Sequence, residues 1–516
     1  MKAADFPETL ALPLVPQCRG RLVYRCLGCP ERFGIRRLLY TCPACGGVLL
    51  IEDEDFAALK AVDGATWQRL FDYRKMLTIP ALKGIYRYHE FIGPVIPLEA
   101  VVYLGEGHTP VVEANRILQE RVGMRFFFKN DGQNPSASFK DRGMASALSY
   151  IHHLVQSGQL DQVLAVCAST GDTSAAAALY GAYLQPHVKS AVLLPHGKVT
   201  PQQLSQPLGS GAAVFEIPGV FDDCMKVVEA LSERYNVALL NSKNAWRILG
   251  QESYAYEIAQ DFDYAVRNLV VVVPIGNAGN ITAVMRGFLK FHEVGVISAL
   301  PKIIGVQSLH ADPVYRYYRE PDPARRRFAP VTVQPSVAQA AMIGNPVSMP
   351  RVVHLVERYN TVAGGQRTFF VAVDEQSIMD WQLTANRNGH VACTHGGESL
   401  AGLVAARAQG CVSETETAVL DSTAHALKFS GFQDLYFRGQ FPDEYGIVPD
   451  PNLINRPALV RPADLARVPA PGAPLTGEDF VRFVDRTCQE IARALELEPV
   501  RGCRQDREGP ALDGER

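Results

Sequence analysis

The sequence predicts an α/β fold built around parallel β-sheet, with a small cysteine-rich module in front of it. From about Val101 to about Ser430, short β-branched apolar runs alternate with Ala-rich helical patterns. That alternation is typical of βαβ units whose sheet is covered on both faces. The basic, cysteine-rich segment from Cys18 to Leu50 gives way to the acidic run at residues 52–55, and this change of composition indicates a domain boundary.

Composition excludes several classes of protein. The chain has 516 residues, 47% of them hydrophobic, which is enough for about three domains. Its 51 Lys and Arg against 54 Asp and Glu give a net charge of −3, so no nucleic-acid or acidic-membrane partner is indicated. The longest comparable apolar run, Leu269 to Ile275, has seven residues and includes Pro274. A spanning helix needs about 18 or more, so we expect no membrane span.

The N-terminus and the cysteines indicate a reducing compartment. Residues 1–16 contain one Lys, early acidic residues and prolines, so we expect no secretory signal peptide. The 11 cysteines are odd in number, and five of them lie between Cys18 and Cys45. That distribution favours metal binding over disulfide pairing, and we expect a cytoplasmic protein.

The chain divides into four parts. Residues 18–51 form the cysteine-rich module, 52–100 a helical extension, 101–440 the main α/β region and 441–516 a C-terminal extension. Beyond Val460, prolines predict a linker, and apolar residues from Phe480 to Leu495 predict one amphipathic helix. Packing of this helix on its own domain is favoured over a membrane or partner role. Residues 501–516 are polar, and we expect them to be disordered. Strands of the main region are predicted at Val163–Cys167, Ala191–Leu194, Ala213–Ile217, Leu269–Val273, Ile303–Val306 and Ala418–Leu420.

Two C-x2-C pairs lie in the N-terminal module. They are Cys26 with Cys29 and Cys42 with Cys45, separated by twelve residues. Four thiolates at this spacing can close a tetrahedron around zinc, and the flanks resemble the strands of a zinc ribbon. With all four positions filled by cysteine, the site is predicted to be structural. The alternative is four unligated thiols, which would leave so small a unit without a core.

A lysine follows a break in the chain at Asn134-Pro135. Ser138 is placed to cap a helix over residues 144–152, so Lys140 lies near a helix start. There the helix dipole and Arg142 would lower the proton affinity of its amine. Lys140 is therefore a candidate for Schiff-base chemistry, although an exposed, salt-bridged lysine is the commoner reading of one such residue.

Three further turns follow predicted strands. Gly276, Asn277, Ala278, Gly279 and Asn280 precede a helix over 281–290, and glycines there let backbone N–H groups converge on an anion. The pattern is not G-x-G-x-x-G and no acidic residue follows at the dinucleotide spacing, which disfavours NAD. Residues 168–174, with Asp172, precede a helix over 175–184, and Asp421-Ser422-Thr423 follows the last strand. Ligands of open α/β sheets bind at the carboxyl ends of the strands, where these turns lie. At Cys393–Gly397, a turn with a buried thiol is favoured over a metal or catalytic site.

Six motifs together resemble the threonine synthases, enzymes of fold type II that depend on pyridoxal 5'-phosphate (PLP). The resemblance runs in order from about Gly105 to Phe429 and is nearest the plant-type branch. The resemblance implies the tryptophan synthase β-like fold, with two open α/β domains. Any one motif is weak, but six in register are specific. They are 105–110 (GEGHTP), 138–143 (SFKDRG), 168–174 (ASTGDTS), Asn241-Ser242 through Arg247 to 250–251, 276–280 (GNAGN) and 422–428 (STAHALK).

The resemblance implies a role for each motif. Lys140 would carry the cofactor, Gly276 to Asn280 would hold its phosphate, and Thr423 would face its pyridine nitrogen. Asp172 would lie near its phenolic oxygen, where many members have Asn. The substrate phosphate would bind Lys198, Asn241, Ser242 and Arg247, and two cations with neutral donors suit a dianion.

The implied reaction converts O-phospho-L-homoserine and water to L-threonine and phosphate. The partner is thus a small-molecule substrate, and a homodimer fits the resemblance because many relatives form dimers. Threonine dehydratase or cysteine synthase is the nearest alternative, but neither needs a substrate-phosphate site. A non-catalytic metabolite-binding protein of the same fold is the alternative of a different class.

Overall fold

A computed structural model describes residues 1–7, 13–169, 171–196, 201–219, 221–462, 464–465 and 467–499. The chain forms two compact units, Met1–Leu453 and Ile454–Arg516. In the described part of the second unit, the amphipathic helix predicted from Phe480 to Leu495 is present as Gly477–Ala494. None of its residues is buried, and the packing of its apolar face stays a prediction. The predicted disordered tail, 501–516, lies outside the described residues.

The strands, in chain order, are β1 Leu22–Cys26, β2 Arg32–Gly34, β3 Leu49–Asp53, β4 Val111–Glu113, β5 Phe126–Lys129, β6 Val163–Ala168, β7 Val188–Pro195, β8 Ala213–Ile217, β9 Val237–Leu239, β10 Leu269–Pro274, β11 Lys302–Ser308, β12 Thr368–Val373 and β13 Thr417–Asp421. The α-helices are α1 Gly64–Arg74, α2 His89–Ile92, α3 Arg116–Val122, α4 Lys140–Gln156, α5 Asp172–Tyr183, α6 Pro201–Gly209, α7 Phe221–Arg234, α8 Ala245–Gln251, α9 Ser253–Asp261, α10 Gly279–Glu293, α11 Pro313–Arg319, α12 Met349–Ala363, α13 Glu375–Arg387, α14 Thr394–Ala408, α15 Ser430–Arg438 and α16 Gly477–Ala494.

Two parallel sheets form the main region. The larger has the strand order β12-β11-β10-β13-β5-β4, with only β4 antiparallel to its neighbour. The smaller has the order β8-β7-β6-β9 and is parallel throughout. Its strands are inserted in the chain between β5 and β10. Strand β10, Leu-Val-Val-Val-Val-Pro, is buried at every residue, as expected of a parallel strand covered on both faces.

The cysteine-rich segment folds as a three-stranded antiparallel sheet of order β2-β1-β3. Behind it, α1 begins at the cap Asp63, whose side chain accepts a hydrogen bond of 2.9 Å from the Thr66 backbone N–H. The aromatic ring of Phe71 on α1 stacks on Phe291 of α10, with ring centroids 5.5 Å apart. The N-terminal segments thus share one apolar core with the large sheet and its helices.

All six predicted strands are present, and three helix starts need correction. The helix predicted over 281–290 begins at Gly279. The helix predicted over 144–152 begins at Lys140, and Ser138 does not cap it. Instead Ser138 pairs with Ala424 in an isolated β-bridge, and its hydroxyl is buried without a hydrogen-bond partner. The helix predicted over 175–184 begins at Asp172. Among the described residues, none of the helices has the length and apolar character that crossing a membrane would require.

Candidate active site

Loops at the carboxyl ends of the two parallel sheets meet in one place. Lys140 follows the loop after β5, and the backbone N–H of Phe139 donates to the carbonyl of Thr423, after β13, over 2.8 Å. Gln206 of α6, the helix between β7 and β8 of the small sheet, donates to the Ser136 carbonyl over 3.2 Å. The two sheet edges therefore face each other across Lys140, the position at which open α/β folds bind ligands.

Lys140 is the first residue of α4 and carries a perturbed amine. Burial lowers its pKa to about 8, with help from the nearby cations Arg247 and Lys428 and against the attraction of Asp172. Its Nζ lies 4.2 Å from the centroid of the Phe139 ring. A free amine is therefore available near neutral pH, as a nucleophile or base requires.

Arg142 does not act on Lys140 as the sequence predicted. Its guanidinium is buried and turned away, into an ion network with Asp131 and Glu257. It donates to Asp131 Oδ2 over 2.8 Å and to Glu257 Oε2 over 2.8 Å. Lys129 joins the same network at 3.0 Å from Glu257 Oε2. The network fixes α4 against α9 and β5 beneath the site, and the cations that act on Lys140 come from elsewhere.

Asp172 lies at the start of α5 and forms an ion pair with Lys428. Lys428 Nζ is 2.9 Å from Asp172 Oδ1 and donates to the Ser136 carbonyl over 2.9 Å. Burial alone would raise the pKa of Asp172, but the charges of Lys428 and Lys140 hold it below its ordinary value. Asp172 is therefore an ionised carboxylate close to the Lys140 amine, and Lys428 balances its charge. The sequence analysis assigned no role to Lys428. Its place in the 422–428 motif was the one sign in the sequence that it could belong to the site.

The glycine turn leads directly into α10. Ala278 has a left-handed backbone with φ of 60°, and α10 starts at Gly279, so its first N–H groups have no intrahelical acceptor. A Cβ on Gly276 would lie 3.0 Å from Ala341 Cα, and one on Gly279 would lie 3.1 Å from Ile248 Cδ1. The turn thus has the backbone form of an anion cradle. Asn277 uses its carbonyl to accept from the Ser348 N–H over 3.2 Å.

The last strand, β13, presents hydroxyls at its carboxyl end. Asn280 Nδ2 donates to Asp421 Oδ2 over 2.7 Å, which joins the glycine turn to this strand end. Burial and the neighbouring Asp131 raise the pKa of Asp421 well above its ordinary value. Thr423 is buried, and the hydroxyl of the adjacent Ser422 is buried without a hydrogen-bond partner. Polar groups without hydrogen-bond partners at this end of the sheet suit a ligand that supplies those partners.

Arg247 on α8 is a buried cation beside Lys140. Its residue is 3% exposed, and Nη1 donates to the Leu240 carbonyl over 2.9 Å, while Nε has no hydrogen-bond partner. No ion pair joins Arg247 to a carboxylate in the part of the chain that the structure describes. Burial lowers its pKa to about 10. Arg247 is therefore a guanidinium with unused capacity for an anion.

The other predicted substrate residues differ in position. Asn241 is buried and pairs with Ala168 at the end of β6, donating to its carbonyl over 2.7 Å and accepting from its N–H over 3.0 Å. One side-chain N–H of Asn241 is left for a ligand. Ser242 follows and is partly exposed. Lys198 lies outside the described residues.

The four cysteines of the two C-x2-C pairs converge. Their Sγ atoms all lie within 4.8 Å of one another, with 3.4 Å between Cys26 and Cys45 and 3.6 Å between Cys29 and Cys42. Tetrahedral zinc–thiolate bonds of about 2.3 Å place sulfurs about 3.8 Å apart, so the cluster has the right size. A Cβ on Gly47 would lie 3.0 Å from Cys26 Sγ, and glycine there keeps the cluster compact. Every cysteine that the structure describes is a free thiol.

Comparison with known proteins identifies the class. Residues 102–422 match the family described as "Pyridoxal-phosphate dependent enzyme". Among solved structures, threonine synthase from Escherichia coli covers 82% of this chain and 94% of its own, with a TM-score of 0.61 and 21% identity. PLP-bound threonine synthase from Brucella melitensis covers 79% of this chain and 89% of its own, with a TM-score of 0.56 and 19% identity. The chain is a PLP-dependent enzyme, and the predicted type II fold is confirmed.

Sequence relatives narrow the class further. The threonine synthase of Methanocaldococcus jannaschii is 34% identical over 79% of this chain and 93% of its own length. "Threonine synthase 2, chloroplastic" from Arabidopsis thaliana is 34% identical over 78% of this chain and 75% of its own. The chain belongs to the threonine synthase family.

Proposed function

We propose that this chain converts O-phospho-L-homoserine and water to L-threonine and phosphate. The observation that carries the proposal is Arg247, a buried guanidinium that has no carboxylate partner among the described residues and lies near the Lys140 amine. A buried cation is costly unless an anion neutralises it, and a phosphate ester supplies that anion. Amino acids without a phosphate would leave Arg247 unpaired.

The residues present fit PLP. The amine of Lys140 is available for covalent attachment, because burial lowers its pKa to about 8. Gly276 to Asn280 form a turn whose N–H groups suit the cofactor phosphate. Its glycines let the turn lie close to Ala341 and Ile248, which a Cβ would prevent. The neutral hydroxyl of Thr423 would face the pyridine nitrogen. Asp172 would lie near the phenolic oxygen, and its ion pair with Lys428 offsets the repulsion between two anions.

The reaction assigns each residue a task. Bound PLP supplies a conjugated ring that accepts electron density from the substrate Cα. The Lys140 amine takes the α proton, and a further proton leaves Cβ. Arg247, with Asn241, Ser242 and Lys198, holds the phosphate as it departs from Cγ. Water supplies the hydroxyl that bonds to Cβ and a proton that bonds to Cγ. The α proton returns to Cα and the proton from Cβ goes to the released phosphate, which balances the atoms of threonine and phosphate.

The cysteine cluster serves a separate purpose. We propose that Cys26, Cys29, Cys42 and Cys45 bind one structural zinc ion, since four sulfurs within 4.8 Å leave no open position for a reacting ligand. The cytoplasmic location rests on the number and spacing of the cysteines in the sequence and stays a prediction. The homodimer stays a prediction.

A panel of substrates tests the proposed function. Phosphate release from O-phosphohomoserine, with threonine as the coupled product, is measured beside turnover of O-acetylserine and threonine. We expect only the phosphorylated substrate to react at a substantial rate. Preferred turnover of threonine would support a dehydratase, and preferred turnover of O-acetylserine a cysteine synthase. A purified protein that binds no PLP and reacts with none of the three would support the non-catalytic alternative.

A further inference from the structure

The cysteine module packs directly against elements of the candidate site. Leu50 of β3 forms a buried cluster with Ile248 of α8 and Ala283 of α10. On β1, the Tyr24 hydroxyl accepts a hydrogen bond of 3.0 Å from Trp246 Nε1. Arg247 lies between Trp246 and Ile248 in sequence. The module therefore supports α8, the helix that carries Arg247.

A single side chain links this support to two site loops. Arg351, the third residue of α12, is fully buried, and all five of its N–H donors are used. Nε and Nη2 both donate to the Leu49 carbonyl on β3, over 3.0 Å and 2.7 Å. Nη1 donates to the Ser242 carbonyl over 3.0 Å, and Nη2 to the Lys243 carbonyl over 3.1 Å. Nη1 also donates to Ser348 Oγ over 2.9 Å.

The charge of Arg351 does not explain its burial. No carboxylate pairs with it among the described residues, and burial together with the nearby Arg286 lowers its pKa to about 9. It also lies in the first turn of α12, where the helix dipole disfavours a cation. Hydrogen bonds to carbonyl oxygens are therefore what hold this side chain in place.

The four acceptors belong to three parts of the site and its support. Ser242 and Lys243 lie in the loop that leads into α8 and Arg247. Ser348 donates its own N–H to the Asn277 carbonyl in the glycine turn, over 3.2 Å. Leu49 is the strand partner of Cys26 in the β1–β3 register. One guanidinium thus joins the cysteine module, the substrate loop and the glycine turn.

We propose that Arg351 is a positioning residue that fixes the 241–244 loop, and through it Arg247, against the cysteine module. The inference rests on the proposed function, because it concerns the site for the substrate phosphate. Without Arg351, the carbonyls of Ser242 and Lys243 lose their donors and the loop gains freedom. Ordering the loop then costs part of the free energy of substrate-phosphate binding, so binding weakens. The groups that move protons stay in place.

The test compares Arg351→Met and Arg351→Lys with Arg286→Met as a matched control. Arg286 is also a buried arginine that donates to β3, at the Ile51 carbonyl, but its other partner is Glu252 and not the substrate loop. We expect Arg351→Met to raise KM for O-phosphohomoserine, and Ki for inorganic phosphate, at least tenfold while kcat changes less than threefold. Arg351→Lys should restore part of the loss, and Arg286→Met should leave both constants within twofold of wild type.

A double-mutant cycle and hydrogen exchange separate positioning from general destabilisation. If Arg351 acts through Arg247, Arg351→Met should change KM less than twofold in an Arg247→Ala background. Backbone amides of residues 241–247 should exchange faster in Arg351→Lys than in wild type, a readout that needs no substrate. Additive effects on KM, a fall in kcat alone, or unchanged exchange in this loop would overturn the proposal. Wild-type protein that fails to turn over O-phosphohomoserine would instead overturn the proposed function, and hydrogen exchange would still decide the role of Arg351.

Discussion

Lys140 owes its predicted reactivity to its surroundings. A lysine of ordinary pKa, about 10.4, is about 0.04% free amine at pH 7, whereas a pKa of about 8 gives about 9%. Burial and the cations Arg247 and Lys428 produce this shift of more than a hundredfold in amine concentration. The sequence indicated the lysine and the direction of the shift. The sequence analysis gave no role to Lys428, which lies 288 residues further along the chain and acts on Lys140 only through the fold.

Removal of the Lys140 amine should abolish turnover and preserve the fold. We expect Lys140→Ala to lose several orders of magnitude in kcat, as is usual for removal of a catalytic nucleophile or base. Phosphate release and circular dichroism measure activity and folding. Lys189→Ala, at an exposed lysine of β7, is the control and should remain active. Activity of Lys140→Ala within about tenfold of wild type would contradict the assignment.

The titration of Lys140 can be measured on protein freed of PLP. Its pKa is lowered, so the amine should become reactive as pH rises through about 8 and reach a plateau before ordinary lysines do. Competitive acetylation followed by mass spectrometry reports this midpoint. Lys428→Met removes a cation and should move the midpoint upward, whereas Lys428→Arg keeps the charge and should leave it near 8. A wild-type midpoint near that of free lysine would show that the amine is solvated.

Arg247 should determine affinity for the substrate phosphate. Arg247→Ala removes a charge-assisted contact worth about 1.5–3 kcal/mol, so kcat/KM for O-phosphohomoserine should fall roughly 10- to 150-fold. Arg247→Lys keeps the charge but lacks the planar guanidinium, so its kcat/KM should lie between those of wild type and Arg247→Ala. The absorbance of bound PLP should match wild type, and inorganic phosphate should inhibit the variant less. Loss of PLP, or unchanged turnover, would show that Arg247 is not the phosphate ligand.

At the level of the element, periodicity predicted strands better than it predicted helix starts. The buried parallel strands are continuous apolar runs, and β10 and β13 could be recognised from those runs alone. Strand β5, Phe-Phe-Phe-Lys, was missed because it is short and ends in a charged residue, Lys129, that only the tertiary ion network neutralises. The start of α4 was misplaced because Ser138 is held by Ala424, a contact that no local pattern contains.

The glycine turn before α10 gives a prediction about the cofactor. Gly276→Ala would place a Cβ 3.0 Å from the Ala341 Cα, and neither backbone can easily give way. Gly279→Ala would meet Ile248 Cδ1 at 3.1 Å, which is the flexible end of a side chain. We therefore expect PLP affinity to fall in both variants and to fall further for Gly276→Ala. Fluorescence titration with PLP measures it, and Gly431→Ala on α15, with nothing within 4 Å of the new Cβ, is the control. Equal affinity in all four proteins would exclude this turn as the phosphate site.

At the level of the whole molecule, the cysteine module is an integral part of the first unit. Sequence spacing predicted that its four cysteines are candidate metal ligands. It did not predict how the module is attached, because the contacts join residues 302 positions apart, Leu49 and Arg351. Arg286 on α10 and Tyr150 on α4 also donate hydrogen bonds to carbonyls of this module, at Ile51 and Ile35. A disturbance of the module should therefore affect the stability of the catalytic region as well as its own.

Loss of metal from the module should accordingly lower the stability of the whole first unit. We expect metal analysis to find about one zinc per chain, and the double variant Cys26→Ser with Cys42→Ser to lose it. Because metal binding contributes directly to folding free energy, the variant should unfold at lower temperature and lower denaturant concentration. Cys18→Ser is the matched control, since Cys18 is exposed, lies in the same segment and is not one of the four clustered thiols. Zinc-free wild-type protein of full stability would contradict the structural role. So would a chelator that abolishes turnover and leaves the unfolding transition unchanged, since a purely structural ion can affect catalysis only through the fold that it stabilises.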